Sequence, residues 1–164
     1  MAKWEVGKGA QEYVDQLVKL EADTQQIMAK AIYPAAGIVT DAIRRNIQAV
    51  PVHSDGKLGT SEDPVTGLTS SQRAGLLEGL GISKMKDDNG YLNVKVGMDG
   101  YNRTITKKYP NGQPNALVIR SLESGTSWRK KHPVITPAVS KTKNQAEQLM
   151  ADTLDSEIDN LMKG

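Results

Sequence analysis

The amino-acid sequence predicts an α+β fold, in which a small antiparallel sheet packs against a long N-terminal helix region and a long C-terminal helix. Apolar residues recur at three- and four-residue steps up to Ile47 and again from Ala138 onward, which is the spacing of amphipathic helices. Between these regions, segments 82–85 and 91–96 alternate apolar with polar residues around an Asn-Gly turn. This alternation predicts a β-hairpin.

Length and composition indicate a single domain over residues 1–164. The chain has 164 residues, of which 38% are hydrophobic, enough for one modest core. It contains no cysteine, which excludes a disulfide scaffold, a thiolate metal centre and a cysteine nucleophile. No apolar run approaches the roughly 18 residues that span a bilayer, and the N-terminus lacks the apolar stretch of a signal peptide. We therefore expect a soluble intracellular protein.

The first helical region contains a proline at position 34. Proline has no backbone N–H to donate, so the pattern predicts either two helices or one helix with a kink just before Pro34. A break near Asp23-Thr24 is an equally open alternative. Pro51 is expected to end the region.

The next segment, 51–69, is rich in Gly, Ser, Asp, Thr and Pro and has few apolar residues. We expect a mobile loop, and loops of this length usually serve an interface or become ordered on a partner. A short helix is predicted over 70–80. A third strand near 103–106 would support the hairpin, since an isolated hairpin is only marginally stable.

The last third of the chain is predicted to hold two more elements. Segment 116–123 fits a short helix or a strand, and we favour a helix that ends at Gly125. Segment 126–137 contains two prolines and should cross the surface in extended form. From Ala138 the apolar stripe predicts the final helix.

The residues that carry enzyme or metal chemistry are sparse. His53 and His132, the only histidines, lie in separate predicted loops without ligand partners at helical spacing, so no metal site is expected. No Gly-x-Ser-x-Gly turn, phosphate-binding loop or dinucleotide fingerprint is present. We expect no catalytic residue and no cofactor.

Charge is distributed unevenly along the chain. Segment 101–132 carries seven basic residues against Glu123 alone, a formal +6, whereas the rest has fourteen basic and eighteen acidic residues, a formal −4. Such a split indicates either a contact surface or simply solvated loops. The run Trp128-Arg-Lys-Lys-His132 could neutralise phosphates and offers a stacking face, so a nucleic-acid-binding module stays open as an alternative.

Three sequence blocks carry a resemblance to a known family. They are Leu76-Leu-Glu-Gly-Leu-Gly-Ile-Ser83, Val94-Lys-Val-Gly-Met-Asp-Gly-Tyr-Asn102, and the block from Ser121 to Ala138, with its Glu-Ser-Gly-Thr-Ser turn, basic stretch and Pro-x-x-x-Pro-Ala end. The chain resembles the tail-component proteins of long-tailed bacteriophages and prophages, the neck or tail-completion proteins. The likeness extends from the first helix to the last.

The resemblance implies a structural, non-enzymatic role. Members are similar to tail terminators, which form a ring, often a hexamer, that caps the tail tube and joins it to the head-completion protein. It implies a protein of the virion neck or tail end, assembled in the host cytoplasm, with duplex DNA passing through the lumen without specific binding and with no membrane partner.

A ring needs two different complementary patches on each subunit, and the uneven charge supplies them. The candidate interface residues are those of the basic segment: Arg103, Lys107, Lys108, Arg120, Trp128, Arg129, Lys130, Lys131 and His132. An exposed edge of the small sheet is a second candidate contact.

Overall fold

A computed structural model of the protein describes residues 8–164, and in the first helix it describes the side chains of residue 12 and of residues from 15 onward. Residues 1–7 of the predicted domain lie outside the described part. The helices are α1 (Lys8–Ala49), α2 (Ser70–Gly79), α3 (Asn115–Ser124) and α4 (Ile135–Lys163). The strands are β1 (Val52–His53), β2 (Leu68–Thr69), β3 (Leu80–Ile82), β4 (Lys86–Asp88), β5 (Tyr91–Asn93) and β6 (Val96–Met98). The α+β prediction, with small antiparallel ladders against long terminal helices, is confirmed.

Helix α1 is one continuous element, so the alternative of two separate helices is wrong. It runs through both Asp23-Thr24 and Pro34. Pro34 is exposed, which lets water hydrate the carbonyl that the missing N–H leaves without a partner. Contacts to α1 lie on both sides of this point, from Glu157 of α4 to Lys30 and from Val134, the residue just before α4, to Asn46. This packing supports the continuous helix.

Helices α1 and α4 are antiparallel and extend past the rest of the protein. The amide of Gln16 donates to the carbonyl of Met162, and that of Asn46 donates to Val134, so the two chains run in opposite directions. At a rise of 1.5 Å per residue, the 42 residues of α1 and 29 of α4 span about 63 and about 43 Å. We call the paired ends, residues 15–35 of α1 and 146–163 of α4, the arm.

The main hydrophobic core lies at the opposite end, where all four helices meet. Its buried members come from the four helices and the residues next to them, and from strands β2 and β3: Ala42, Ile43, Ile47, Val50, Leu68, Leu76, Leu80, Val118, Ile119, Leu122, Val134 and Ala138. We call this region, with the loops around it, the body. None of the described helices combines the length and apolarity that a membrane crossing needs.

The predicted hairpin is present and contains a bulge. Asn89 and Gly90 form its turn, both with positive φ, as a type I′ turn requires. Strands β4 and β5 pair beside the turn, and β3 and β6 pair further down. Between the two ladders, Lys84 and Met85 oppose a single residue of the other strand, and the freed N–H of Met85 donates to the hydroxyl of Tyr33 on α1 (2.8 Å). The bulge thus fixes the hairpin to α1.

Two strand predictions need correction. No strand forms at 103–106, where the Thr104 N–H donates to the Asn102 side chain and Thr106 pairs with Tyr109 in a turn. Instead β1 and β2 pair in parallel, inside the segment 51–69 that was predicted to be a loop. The second half of that segment packs into the body through the buried side chains of Val65 and Leu68. Mobility of the segment stays a prediction.

Candidate interaction surface

Three irregular segments meet on one side of the body, around α2 and α3. They are 51–69, 99–114 and 125–134, and the last two hold most of the predicted interface residues. Irregular segments carry many backbone polar groups, which must find partners when they are buried. Here the partners are buried side chains from the loops and from α2 and α3.

The centre of this arrangement is Gln72 on α2, which is fully buried. Thr69 and Gln72 form a capping box, in which the Thr69 hydroxyl accepts from the Gln72 N–H and the Gln72 side chain accepts from the Thr69 N–H. The Gln72 amide also donates to Gln113 (2.8 Å), and its oxygen accepts from Arg129 (3.1 Å). One side chain on α2 therefore joins all three segments.

Arg129 is buried, and this corrects its assignment to an exposed basic surface. Its side chain is 1% exposed, and the guanidinium donates to the Gly67 carbonyl and to Gln72. Within the described residues, no carboxylate lies at ion-pair distance from it and its Nε has no hydrogen-bond partner. Burial lowers the pKa of Arg129 from its ordinary value, because the charged form loses hydration.

Segment 99–114 is fixed to α2 through two buried asparagines. The Asn115 amide donates to the carbonyls of Gly75 and Asp99, both at 2.8 Å, while the Asn102 amide donates to the Gln113 carbonyl. The approach is close: a Cβ on Gly75 would lie 2.4 Å from the Cβ of Asn102. Glycine at position 75 is thus needed for the loop to lie on the helix.

The anchored loop presents a row of exposed side chains that we call the ridge, formed by Tyr101, Arg103 and Ile105. Alternate residues of the loop, Asn102 and Thr104, are buried, and the Thr104 N–H donates to the Asn102 side chain (2.9 Å). Tyr101 is 71% and Ile105 68% exposed. Large apolar side chains held outward by a buried polar framework are typical of a contact surface.

A groove lies beside α3, and we call it the α3 groove. Its volume is about 470 Å³. Its walls are one stripe of α3, the Lys108-Tyr109 turn and the turn from Gly125 to Trp128. The lining residues are Lys108, Tyr109, Gln113, Leu117, Val118, Arg120, Ser121, Ser124, Gly125, Thr126, Trp128 and Arg129. Four of the nine predicted interface residues therefore meet in one place.

The other predicted interface residues lie outside the groove. Arg103 is on the ridge, and Lys107 is exposed beyond it. Lys130 and Lys131 are exposed, and the Lys130 N–H donates to the Val65 carbonyl. His132 is half-buried, and its N–H donates to Leu122. Segment 126–132 thus starts in a turn and is held at several backbone positions.

Glu123 is the only acidic residue of segment 101–132, and in the structure it caps the start of α4. Its carboxylate accepts from the N–H groups of Val134, Ile135 and Thr136 at 2.8–2.9 Å, and these are the unpaired donors at the start of α4. Burial alone would raise the pKa of Glu123, but the hydrogen bonds from Thr136, Ile135 and Val134 lower it overall. This cap explains why α4 begins before the predicted Ala138.

The described residues contain no group of three or more acidic or histidine side chains arranged to hold a metal ion. Gly125, which was predicted to end α3, has a φ of 75°, a conformation that glycine adopts without strain. Comparison with models of protein families, with curated proteins and with solved structures finds no match to this chain.

Proposed function

We propose that this protein is a structural assembly protein of a bacteriophage neck. In this proposal it forms a ring, hexameric in the virion, that caps the tail tube and joins it to the head-completion protein. Duplex DNA passes through the lumen without specific binding. The protein acts by contact and catalyses no reaction.

The ridge is the observation that carries the proposal. Tyr101 and Ile105 are more than two-thirds exposed, yet they stand on a loop whose alternate residues are buried and hydrogen-bonded. A preformed loop loses little conformational entropy when a partner binds, so its apolar area contributes more fully to affinity. Tyr and Arg are also the residue types enriched at the centres of protein interfaces.

The charge distribution supports a contact between unlike patches. Six of the seven basic residues of segment 101–132 are exposed on the body, while α4 carries exposed Asp152, Asp155 and Asp159 on the arm. Patches of opposite charge at different places on one subunit suit the head-to-tail contacts of a ring. Such charged patches determine how neighbouring subunits align and which partner is selected more than they determine the affinity of the contact.

The test is the binding of purified tail tubes of the same virion. We expect the protein to co-sediment with tubes and to cap their ends in electron micrographs, and the double variant Tyr101→Ser/Ile105→Ser to lose at least about tenfold in affinity. Tyr91→Ser is the matched control, because Tyr91 is equally exposed at 71% on the hairpin. A protein that neither binds nor caps tubes would contradict the proposal.

A nucleic-acid-binding module is the second candidate, because six basic residues and Trp128 are exposed in one segment. The buried Arg129 interrupts the run on which this candidate depends. Duplex binding that weakens steeply with salt and is lost in Lys130→Ala/Lys131→Ala, with no effect of the ridge variant, would favour this candidate.

A further inference from the structure

We propose that the α3 groove is the docking site for the last turns of α4 of a second copy of this chain. Ile158 of the second copy enters the groove. Its neighbours Asp155 and Asp159 face Lys108 and Arg120, two exposed residues of the groove lining. The inference rests on the proposed function, since it names one contact between neighbouring subunits of the ring.

Apolar and aromatic side chains form part of the lining of the α3 groove. Leu117 is 42% and Trp128 36% exposed, and Tyr109 and Val118 complete the apolar lining. A volume of about 470 Å³ lies in the range of clefts that hold small ligands or a few side chains. Such a groove suits an amphipathic helix that inserts an apolar side chain.

The walls of the α3 groove carry positive charge only. Of its twelve lining residues three are basic and none is acidic. Lys108 and Arg120 are exposed, and Arg129 is buried, with no carboxylate at ion-pair distance from its guanidinium in the described part of the chain. A buried positive charge without a counter-charge raises the potential of the groove, because low-dielectric surroundings screen it weakly. The groove therefore favours an acidic partner with an apolar side chain.

The end of α4 has this chemistry. Ile158 is 37% exposed, and Asp155 and Asp159, which flank it on the helix, are exposed. Asp159 is 3.9 Å from Lys163 in its own subunit, with both side chains over two-thirds exposed, and a contact of this kind is readily exchanged. Glu157, by contrast, is engaged by Lys30 at 2.6 Å and is not part of the proposed contact.

The contact must join two copies, because the two patches lie at opposite ends of one subunit. The end of α4 is held beside Gln16 of α1, whereas α3 packs on the core that includes Ala42 and Ile47. The stretch of α1 from Gln16 to Ala42 spans about 39 Å. A body patch that meets an arm patch on the neighbour is the head-to-tail geometry of a ring.

Cysteine cross-linking tests the contact directly, since the chain has no native cysteine. Leu117→Cys and Ile158→Cys are prepared separately, mixed with and without tail tubes, and treated with a short bifunctional thiol reagent. We expect a covalent dimer of twice 17.8 kDa that contains one copy of each variant. Tyr91→Cys replaces Leu117→Cys in the control mixture, where we expect at least about tenfold less dimer.

Charge reversal tests the complementarity in the same cross-linking assay. Lys108→Glu/Arg120→Glu in the Leu117→Cys protein should reduce the dimer about tenfold or more, and so should Asp155→Lys/Asp159→Lys in the Ile158→Cys protein. Mixing the two charge-reversed proteins should restore the yield of cross-linked dimer. Lys84→Glu/Lys86→Glu on the exposed hairpin is the matched control and should leave the yield unchanged.

The outcomes separate this inference from the proposed function. Tubes capped by a ring, with no cross-linked product between positions 117 and 158, would overturn the α4 contact and leave the proposed function standing. Loss of tube binding on reversal of Lys108 and Arg120, again without the product, would show that an acidic segment of another virion protein fills the groove. A cross-linked pair that never binds tubes would support the contact and contradict the neck function.

Discussion

The body and the arm are stabilised in different ways. In the body, four helices bury a common core, and buried polar side chains fix the loops around it. In the arm, α1 and α4 pack mainly against each other, and Tyr33 near the inner end also bonds the hairpin. Ile27, Ala31, Ile32, Ala35 and Ala146 are buried there, whereas Leu17, Val18 and Ile158 are more than a third exposed. The body therefore holds a preformed surface, whereas the arm leaves part of its apolar area available for a neighbour.

Asn115→Ala should have the largest effect, because it removes a buried side chain that donates to the carbonyls of Gly75 on α2 and Asp99 in the adjoining loop. Unsatisfied buried polar groups cost about 1–3 kcal/mol each, so we expect the free energy of unfolding to fall by about 3 kcal/mol. Chemical denaturation measures it. Asn144→Ala, at an exposed position of α4, is the control and should change stability by less than about 0.5 kcal/mol. Equal effects of the two substitutions would contradict the role of Asn115.

Gly75→Ala should destabilise the body by about 2 kcal/mol, although alanine is the better helix former. The new Cβ would lie 2.4 Å from Asn102 and 2.8 Å from the Asn115 side chain, and overpacking of this kind costs about 1–3 kcal/mol. Gly37→Ala in α1, where the Cβ would meet nothing within 4 Å, should stabilise by about 0.5–1 kcal/mol. Thermal unfolding of both variants measures the difference, and the same sign for both would refute the close approach.

Glu123→Gln should cost about 1–2 kcal/mol at neutral pH, because it weakens the cap at the start of α4. The pKa of Glu123 is lowered in the folded state from its ordinary value of 4.5. The contribution of the carboxylate is therefore fully present above pH 4.5 and is lost as the pH falls through the lower folded value. Denaturation at several pH values should show the difference between wild type and variant shrinking below pH 4.5. A difference that does not depend on pH would mean that the charge has no part in the cap.

The smallest effect is expected in the arm, at the ion pair between Lys30 and Glu157. The two side chains are 51% and 26% exposed, and exposed pairs of this kind contribute about 0.2–1 kcal/mol. A double-mutant cycle with Lys30→Met and Glu157→Gln should give a coupling free energy in that range that decreases with salt. A coupling above about 2 kcal/mol would mean that the arm depends on polar contacts as the body does.

Features that are set by neighbouring residues in the chain can be predicted from the sequence. Features that depend on contacts with residues far away in the chain cannot. Periodic apolar residues define α1 and α4, and Asn89-Gly90 defines the hairpin turn. Burial of Arg129 could not be predicted, because its acceptors are a backbone carbonyl at Gly67 and the side chain of Gln72, which are about sixty residues away. The early start of α4 depends on Glu123 of another helix, for which no capping pattern exists in the sequence.

The candidate interaction surface also combines features that the sequence predicts with features that depend on contacts between distant segments. The basic segment is visible from charge counting. Which of its side chains point outward is decided by Asn102 and Thr104, which bond within the loop, and by Gln72, which joins that loop to Arg129 of another segment. The parallel pairing of β2 with β1 joins Val52 to Leu68, sixteen residues apart in a largely polar segment, so no local pattern indicates it.

Hydrogen–deuterium exchange of the free and tube-bound protein tests the central claim most directly, since it locates the contact surface on the chain. We predict slower exchange on binding at residues 101–109, at 117–128 and at 151–161, with no change at the hairpin tip, 87–91. Protection confined to the hairpin, or none anywhere, would contradict an assembly protein that acts through the ridge, the α3 groove and the end of α4.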